Sequence, residues 1–576
     1  MTRACALQGR PAIRPAAERL GQAGLAAIAV SIVATIAVGA AGPSLMEPPL
    51  PGAAAQPPWT LDMHPGPYLA VGLAAAGLAA GTLGLALTLR AMRLGWTIRA
   101  RYVLLAGVIA AVVAGTTAPF GTSDFLSYAA YGRELVTGHN PYLVTPQTLA
   151  RLGDPVGRAV QDWAGTPSVY GALGTGVFGL ASLIGGASAR LTVFVLDIVN
   201  VLAFVGTGVL LDRLARGPAG RLRAAVLWTC NPLLLQILVA GGHVDGLAAA
   251  FSIAGIAVLA PLIPNGARSS RLLPRALAGG VILGLGFAVK PTVLLVFAGL
   301  VIALIVARLT PYGVDAPRSP QAPHAPRAPR ASLPLRAPRA SLPPRAPRAS
   351  LPPHPAALAP ISRLTLGALI GGFCAVAVAD LALMGRAGIA ESFRASGMVS
   401  VGSPWRVVRT LLRVSMLSES GADDVVRGLA LVLMVCLAAG LLWWLRRPGG
   451  VFDAAPLRTA GVLAGAAPFA LVLAWLLTWP YVLPWYDALG WALLPLLPAS
   501  GIDWLLLART AALGFGYLPA RVAGITIPAG LRWMEPVIRS ALTPAVLAGV
   551  VVILLSMMRS PVRSVRQTSL AGADKM

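Results

Sequence analysis

A chain of 576 residues that is 56% hydrophobic and only 12% charged, with a mean hydropathy of +0.75, carries more apolar surface than a water-soluble core can bury. This excludes a soluble globular enzyme and leaves a polytopic membrane protein. The net charge of +25 does not imply nucleic acid as a partner, because the cations sit in short connections between apolar runs, where the orientation rule places them in the cytoplasm beside membrane lipids.

At the start of the chain, Arg3, Arg10, Arg14 and Arg19 precede an apolar run from Gly24 to Ala41, and further spans follow at once. Residues 1–23 are therefore read as a basic cytoplasmic N-terminus before an uncleaved anchor. Candidate spans fall near 24–42, 67–89, 103–119, 190–211, 223–240, 244–263, 276–289, 291–308, 364–384, 425–445, 457–477, 482–499, 503–518 and 540–557. They predict an all-α bundle of about 13–14 transmembrane helices. The N-terminal membrane region covers 24–308 and contains a large loop at 120–168. A C-terminal membrane region covers 364–558, and a cytoplasmic tail runs from 559 to 576.

With the N-terminus inside, the positive-inside rule asks that Arg90 to Arg101, Arg213 to Arg223, Arg268 to Arg275, the 309–363 linker, Arg446 with Arg447 and the tail from Arg559 all lie inside. Strict alternation is not expected to deliver this everywhere, so one or more short, Pro-broken segments should be re-entrant or half-spans. Tyr170 to Gly186 is apolar too and is taken as re-entrant or interfacial. The linker holds a nine-residue repeat, APRASLPLR, APRASLPPR and APRASLPPH over 328–354, which is too rich in Pro and Arg to form a core and reads as a disordered spacer. The cysteines, Cys5, Cys230, Cys374 and Cys436, show neither CxxC spacing nor a disulfide pattern.

This sidedness collects the polar motifs on the outward face. Asp124 lies just beyond the apolar run Tyr102 to Phe120, and Asp124, Ser127, Tyr128 and Tyr131 follow helical spacing, so on a short surface helix they share one face. A carboxylate flanked by phenols suits a general base taking a proton from a sugar hydroxyl, with the rings as a platform. The alternative is an N-cap, with the tyrosines in the aromatic belt. Trp163 and the stretch from Pro167 to Gly171 read as resting the loop on the membrane surface.

Further along, His243 and Asp245 sit in a Gly-Gly-His-Val-Asp turn, placed for substrate contact, a structural pair or a metal, although the turn supplies few ligands for one. Lys290, the one lysine of the membrane region, precedes Pro291 at a helix break; it either meets a lipid phosphate or snorkels to the interface. Arg386, Arg394 and Arg406 are outward arginines, which phosphate capture would explain. Trp479 to Asp487 packs four aromatics and a carboxylate around two prolines, with Trp485 and Tyr486 either facing a sugar or prenyl chain or standing in the belt.

In order from about Thr122 to Asp487, SDFLSYAAYGR, NPY, the NP and GGHVDG pair, AVKPTVLL and PWY resemble the polyprenol-phosphomannose-dependent alpha-1,6-mannosyltransferases of actinobacterial envelopes, MptB type, in the GT-C superfamily. The resemblance implies a GT-C helical bundle in the plasma membrane with an extracytoplasmic site. It also implies a polyprenyl phosphomannose donor, an acceptor that is a growing mannan of a lipomannan-type glycolipid, and no cofactor. The loop Asp of that family maps onto Asp124, the expected base of an inverting transfer, with Tyr128, Tyr131, His243, Asp245, Lys290, Arg406, Trp485 and Tyr486 as donor and acceptor contacts. Many GT-C members carry two acids in this loop, whereas Ser123 here precedes a single Asp124, which argues against a metal. The readings left beside it are another sugar donor, an alpha-1,2 linkage, or a lipid-linked sugar flippase.

Overall fold

In the computed structural model, residues 15–260, 272–309, 363–414, 418–445, 460–520, 522 and 524–559 are described. The repeat linker, Arg446 with Arg447, Arg268, residues 1–14 and residues 560–576 lie outside them. Among the described residues the secondary structure is helical with no strand, and seven helices are long and apolar enough to cross a membrane, with six shorter apolar ones beside them. The chain is an all-α polytopic membrane protein. About 20 residues at 1.5 Å rise cover a hydrocarbon layer, so the long apolar runs fold as helices because no other structure satisfies the backbone there.

Helices α1 (Pro15–Ala41) and α2 (Pro67–Arg93) form a hairpin, and α3 (Ala100–Ala114) leads to α4 (Asp124–Val136). Two short helices, α5 (Pro146–Arg151) and α6 (Pro155–Ala159), precede α7 (Ala172–Gly185) and α8 (Ala189–Leu214). The next pass is α9 (Gly217–Ala224), continued by π-turns around α10 (Pro232–Leu234) to Val239; α11 (Asp245–Leu259), α12 (Leu272–Phe287) and α13 (Val293–Leu309) follow. After the linker come α14 (Arg363–Ser396), which bends at Gly385, α15 (Trp405–Val414), α16 (Glu419–Trp444), α17 (Ala460–Thr478), α18 (Asp487–Leu493), α19 (Ile502–Gly516) and α20 (Thr543–Arg559).

Tertiary contacts sort the connections into two ends. At one, Arg93 reaches the Ser500 carbonyl and Asp503, and Arg223 grips Asp503 with two nitrogens at 2.9 and 2.8 Å. At the other, the Phe120 amide donates to Ala240 (2.8 Å), Arg190 to Leu50 (3.3 Å), Gly174 to Ala288 (3.1 Å), Ala172 to Asp380 (2.6 Å) and Ser400 to Pro480 (3.2 Å). Among the described residues, the arginines from Arg90 to Arg101, Arg213 to Arg223 and at Arg275 fall at one end, and the Asp124 loop at the other.

Of the short, Pro-broken segments, 482–499 folds as the seven-residue α18 between two 3-10 turns, less than the length that crosses a bilayer by itself. The Tyr170 to Gly186 segment forms α7, which starts against Ala288 and finishes at Gly185 against Thr192 on the first turn of α8. It lies along α4, with Leu180, Leu183 and Ile184 left exposed.

Within the bundle, Asp487 at the head of α18 is fully buried, ion-paired with Arg509 and hydrogen-bonded by Thr510 at 2.6 Å. Arg509 also donates to the Leu476 carbonyl at 2.9 Å, tying α17, α18 and α19 together. Removing either partner would leave a buried charge uncompensated, so the pair fixes where the preceding Trp485 and Tyr486 stand.

Candidate active site

Thr122 and Ser123 turn the chain from α3 into α4, with the Asp124 amide bonded to the Thr122 hydroxyl at 3.1 Å. Ser123 occupies the N-cap position without a side-chain cap bond; its hydroxyl donates to the Asp162 carboxylate at 2.8 Å instead. The Asp124 carboxylate sits at the start of the helix with its side chain 18% exposed. Burial, opposed by Lys290 and reinforced by Asp162 and Asp245, pushes its pKa up to about 7. That places a proton acceptor near its optimal strength at neutral pH.

Facing Asp124 is the turn that joins α10's run to α11. Gly242 adopts φ +65° there, with the Phe125 side chain and Asp197 close to its α-carbon, so only glycine fits without strain. The turn is pinned by the Asn200 amide, which donates to the Leu238 carbonyl at 2.7 Å. It delivers His243, 1% exposed, with Nδ1 at 3.8 Å from Asp124 Oδ2 and its ring stacked on Trp485 at 3.7 Å between centroids. Burial and the nearby Lys290 hold the imidazole neutral, so it is a polar neighbour of Asp124 rather than its counter-ion.

Lys290 comes from the break between α12 and α13. Its ammonium bonds Asp245 Oδ1 at 2.6 Å and lies 4.3 Å from the centroid of the Tyr486 ring, a cation–π contact at a 9%-exposed residue. Asp124, His243, Asp245, Lys290, Trp485 and Tyr486 thus converge from four parts of the chain. Beside them a small, partly open pocket of about 40 Å³ is lined by Phe120, Thr122, His243, Trp485 and Tyr517 among others, and is mostly apolar. Among the described residues no group of three or more His, Cys, Asp or Glu side chains is placed to hold a metal.

Tyr128 and Tyr131 do share a face with Asp124, but that face is packed. Tyr128 is 2% exposed, stacked on Phe178 of α7 at 4.9 Å and bonded to the Tyr170 hydroxyl at 3.2 Å. Tyr131, equally buried, donates to the Thr166 carbonyl at 3.0 Å. The cause is Gly132, which brings α4 so near α7 that a methyl group there would overlap the Phe178 carbonyl. An open tyrosine platform is therefore absent; the pair holds the helix in place and walls the site. Arg406 stands apart, exposed on α15, where no described residue has its side chain buried.

Several neighbours are given no role in the site by the sequence reading, which places Tyr170 in a stretch resting on the membrane surface. Asp162 lies on a strap that reaches Ser123 across 39 positions, supplying the second acid near the loop that Ser123 itself lacks. Tyr170 covers Tyr128, and Tyr517 packs edge-on to Trp485 at 5.1 Å with Arg539 5.1 Å over its other side. None belongs to a short motif; the aromatic residues before Gly171 and after Gly516 were the available signals.

The family model described as alpha-(1->6)-mannopyranosyltransferase, N-terminal domain, matches residues 21–307. No curated protein and no solved structure gives a significant match. The matched stretch holds Asp124, Asp162, His243, Asp245 and Lys290, while Trp485 and Tyr486 come from the half beyond it.

Proposed function

The chain belongs to the alpha-(1->6)-mannopyranosyltransferase family, and from that premise we propose that it moves mannose from polyprenyl phosphomannose to an alpha-1,6-mannan on a lipomannan-type glycolipid, with Asp124 as the base. The carrying observation is the position of Asp124, a partly exposed carboxylate with its pKa lifted to about 7, at the end of the bundle opposite the arginines. The positive-inside rule assigns the arginine end to the cytoplasm, so the Asp124 end faces outward in the plasma membrane. Nucleotide sugars are not available there, and a lipid-borne donor reaches the site from within the bilayer.

In this reading the acceptor hydroxyl attacks C1 of a beta-linked mannosyl phosphate as Asp124 takes its proton. The C1–O bond to phosphate breaks, polyprenyl phosphate leaves with the electron pair, and the new linkage is alpha. Lys290 is the cation nearest to hand for the phosphate, exchanging part of its hold on Asp245 for the donor. His243 and Trp485 form the wall between Asp124 and the apolar pocket, whose lining suits the first isoprene units.

The test supplies purified protein in lipid nanodiscs with an alpha-1,6-oligomannoside acceptor and either polyprenyl phosphomannose or GDP-mannose. The proposal expects extension, with a new alpha-1,6 linkage, from the lipid donor alone. Transfer from GDP-mannose in its absence would overturn it.

A further inference from the structure

On the open side of Asp124, the strap at 160–168 is fastened to α4 by three side chains spaced four apart. Ser123 bonds the Asp162 carboxylate at 2.8 Å, Ser127 bonds the Asp162 carbonyl at 3.1 Å, and Tyr131 bonds the Thr166 carbonyl at 3.0 Å. Spacing of four keeps all three on one stripe of the helix, so the strap is bound along its length. Between the fastenings Trp163 adopts φ +63°, with its carbonyl accepting from the Thr166 amide at 2.9 Å. For a bulky side chain that conformation is strained, and such residues cluster at functional sites.

The strained turn does not bury the indole. Trp163 is 41% exposed, whereas Tyr128, Tyr131 and Trp485 are each below 5%. Its immediate neighbour Asp162 is exposed too, with one carboxylate oxygen engaged by Ser123. Exposed aliphatic side chains of this region stand on Leu143 and Leu152 of the loop and on Leu180, Leu183 and Ile184 of α7. A pyranose ring presents an apolar C–H face and an edge of hydroxyls, which calls for one open aromatic face and an adjoining acceptor oxygen.

We propose that Asp162 and Trp163 form the acceptor subsite, in which the terminal hexose of the glycan stacks on Trp163, donates hydroxyl hydrogen bonds to Asp162, and so presents its reacting hydroxyl to Asp124. This rests on the transfer reading above and assigns the strap a role in sugar recognition rather than in anchoring to lipid.

Initial rates are measured at saturating polyprenyl phosphomannose with the alpha-1,6-oligomannoside varied, and then the reverse. Trp163→Ala is expected to raise the acceptor KM about tenfold or more while leaving the donor KM unchanged, with Trp163→Phe keeping most of the stacking and staying within about threefold of the parent. Asp162→Asn is expected to raise the acceptor KM as well. An unchanged acceptor KM in an active Trp163→Ala enzyme overturns the proposal. Quenching of tryptophan fluorescence by the oligomannoside, compared between the parent and Trp163→Phe, reads the subsite without turnover. Quenching specific to Trp163 supports the subsite even if the parent transfers no mannose, and its absence at saturating sugar overturns it.

Discussion

Replacing Asp124 by asparagine should disable the protein and stabilise it at the same time. Its carboxyl has a pKa of about 7 in the fold against a reference of 3.8, a rise caused first by burial. Between those values the folded protein holds a proton that the unfolded chain has released, so the contribution of Asp124 to stability declines as pH rises from about 4 to about 7. Three units at about 1.4 kcal/mol each give about 4 kcal/mol of strain at pH 8, reduced to roughly 2–4 kcal/mol because the side chain keeps some contact with water. Asparagine keeps the shape and removes the charge. Thermal unfolding in nanodiscs at pH 8 should rise by several degrees in Asp124→Asn, and the gain should shrink towards zero at pH 4–5, since all other groups titrate alike in both proteins. An equal gain at both pH values, or a loss at pH 8, would refute the assignment of a charged, desolvated base.

The same pKa predicts that kcat/KM for transfer falls about tenfold per unit below pH 7; a profile flat down to pH 5 would mean an ordinary carboxylate at work. Gly132→Ala should push α4 off the Phe178 carbonyl by roughly 1 Å, and misplacement on that scale costs up to about 100-fold in turnover, measured beside an unchanged circular dichroism spectrum. At the other end of the bundle, Asp503→Asn strips Arg223 of its buried partner and should cost about 3–5 kcal/mol of stability, read as a lower unfolding temperature, while both KM values stay unchanged.

The passes were legible because a run of apolar residues has one way to satisfy its backbone in lipid, and the arginine clusters mark one end of the bundle. The place of α7 was harder to read, since Ala172 to Gly185 has span-like composition; its contacts with Ala288 and Thr192, far apart in sequence, decide its course. Asp124, His243, Asp245, Lys290, Trp485 and Tyr486 stood out as charges or aromatics at helix breaks, and the fold brings them together. Helical spacing placed Tyr128 and Tyr131 with Asp124 but does not say whether a face is open, which here depends on a glycine facing a neighbouring helix. Asp162 and Trp163 carried no motif, and their link to α4 is a tertiary hydrogen bond across 39 positions. Arg406 stood out by charge alone, and its helix lies on the exposed surface.

Transfer of radiolabelled mannose from polyprenyl phosphomannose to an oligomannoside, compared between the parent protein, Asp124→Asn and Asp124→Glu at pH 8, bears most directly on the role of Asp124. The base assignment predicts a loss of at least about 1,000-fold in the asparagine variant, with partial activity in the glutamate variant and its acid limb displaced. Transfer by Asp124→Asn within about tenfold of the parent would contradict it.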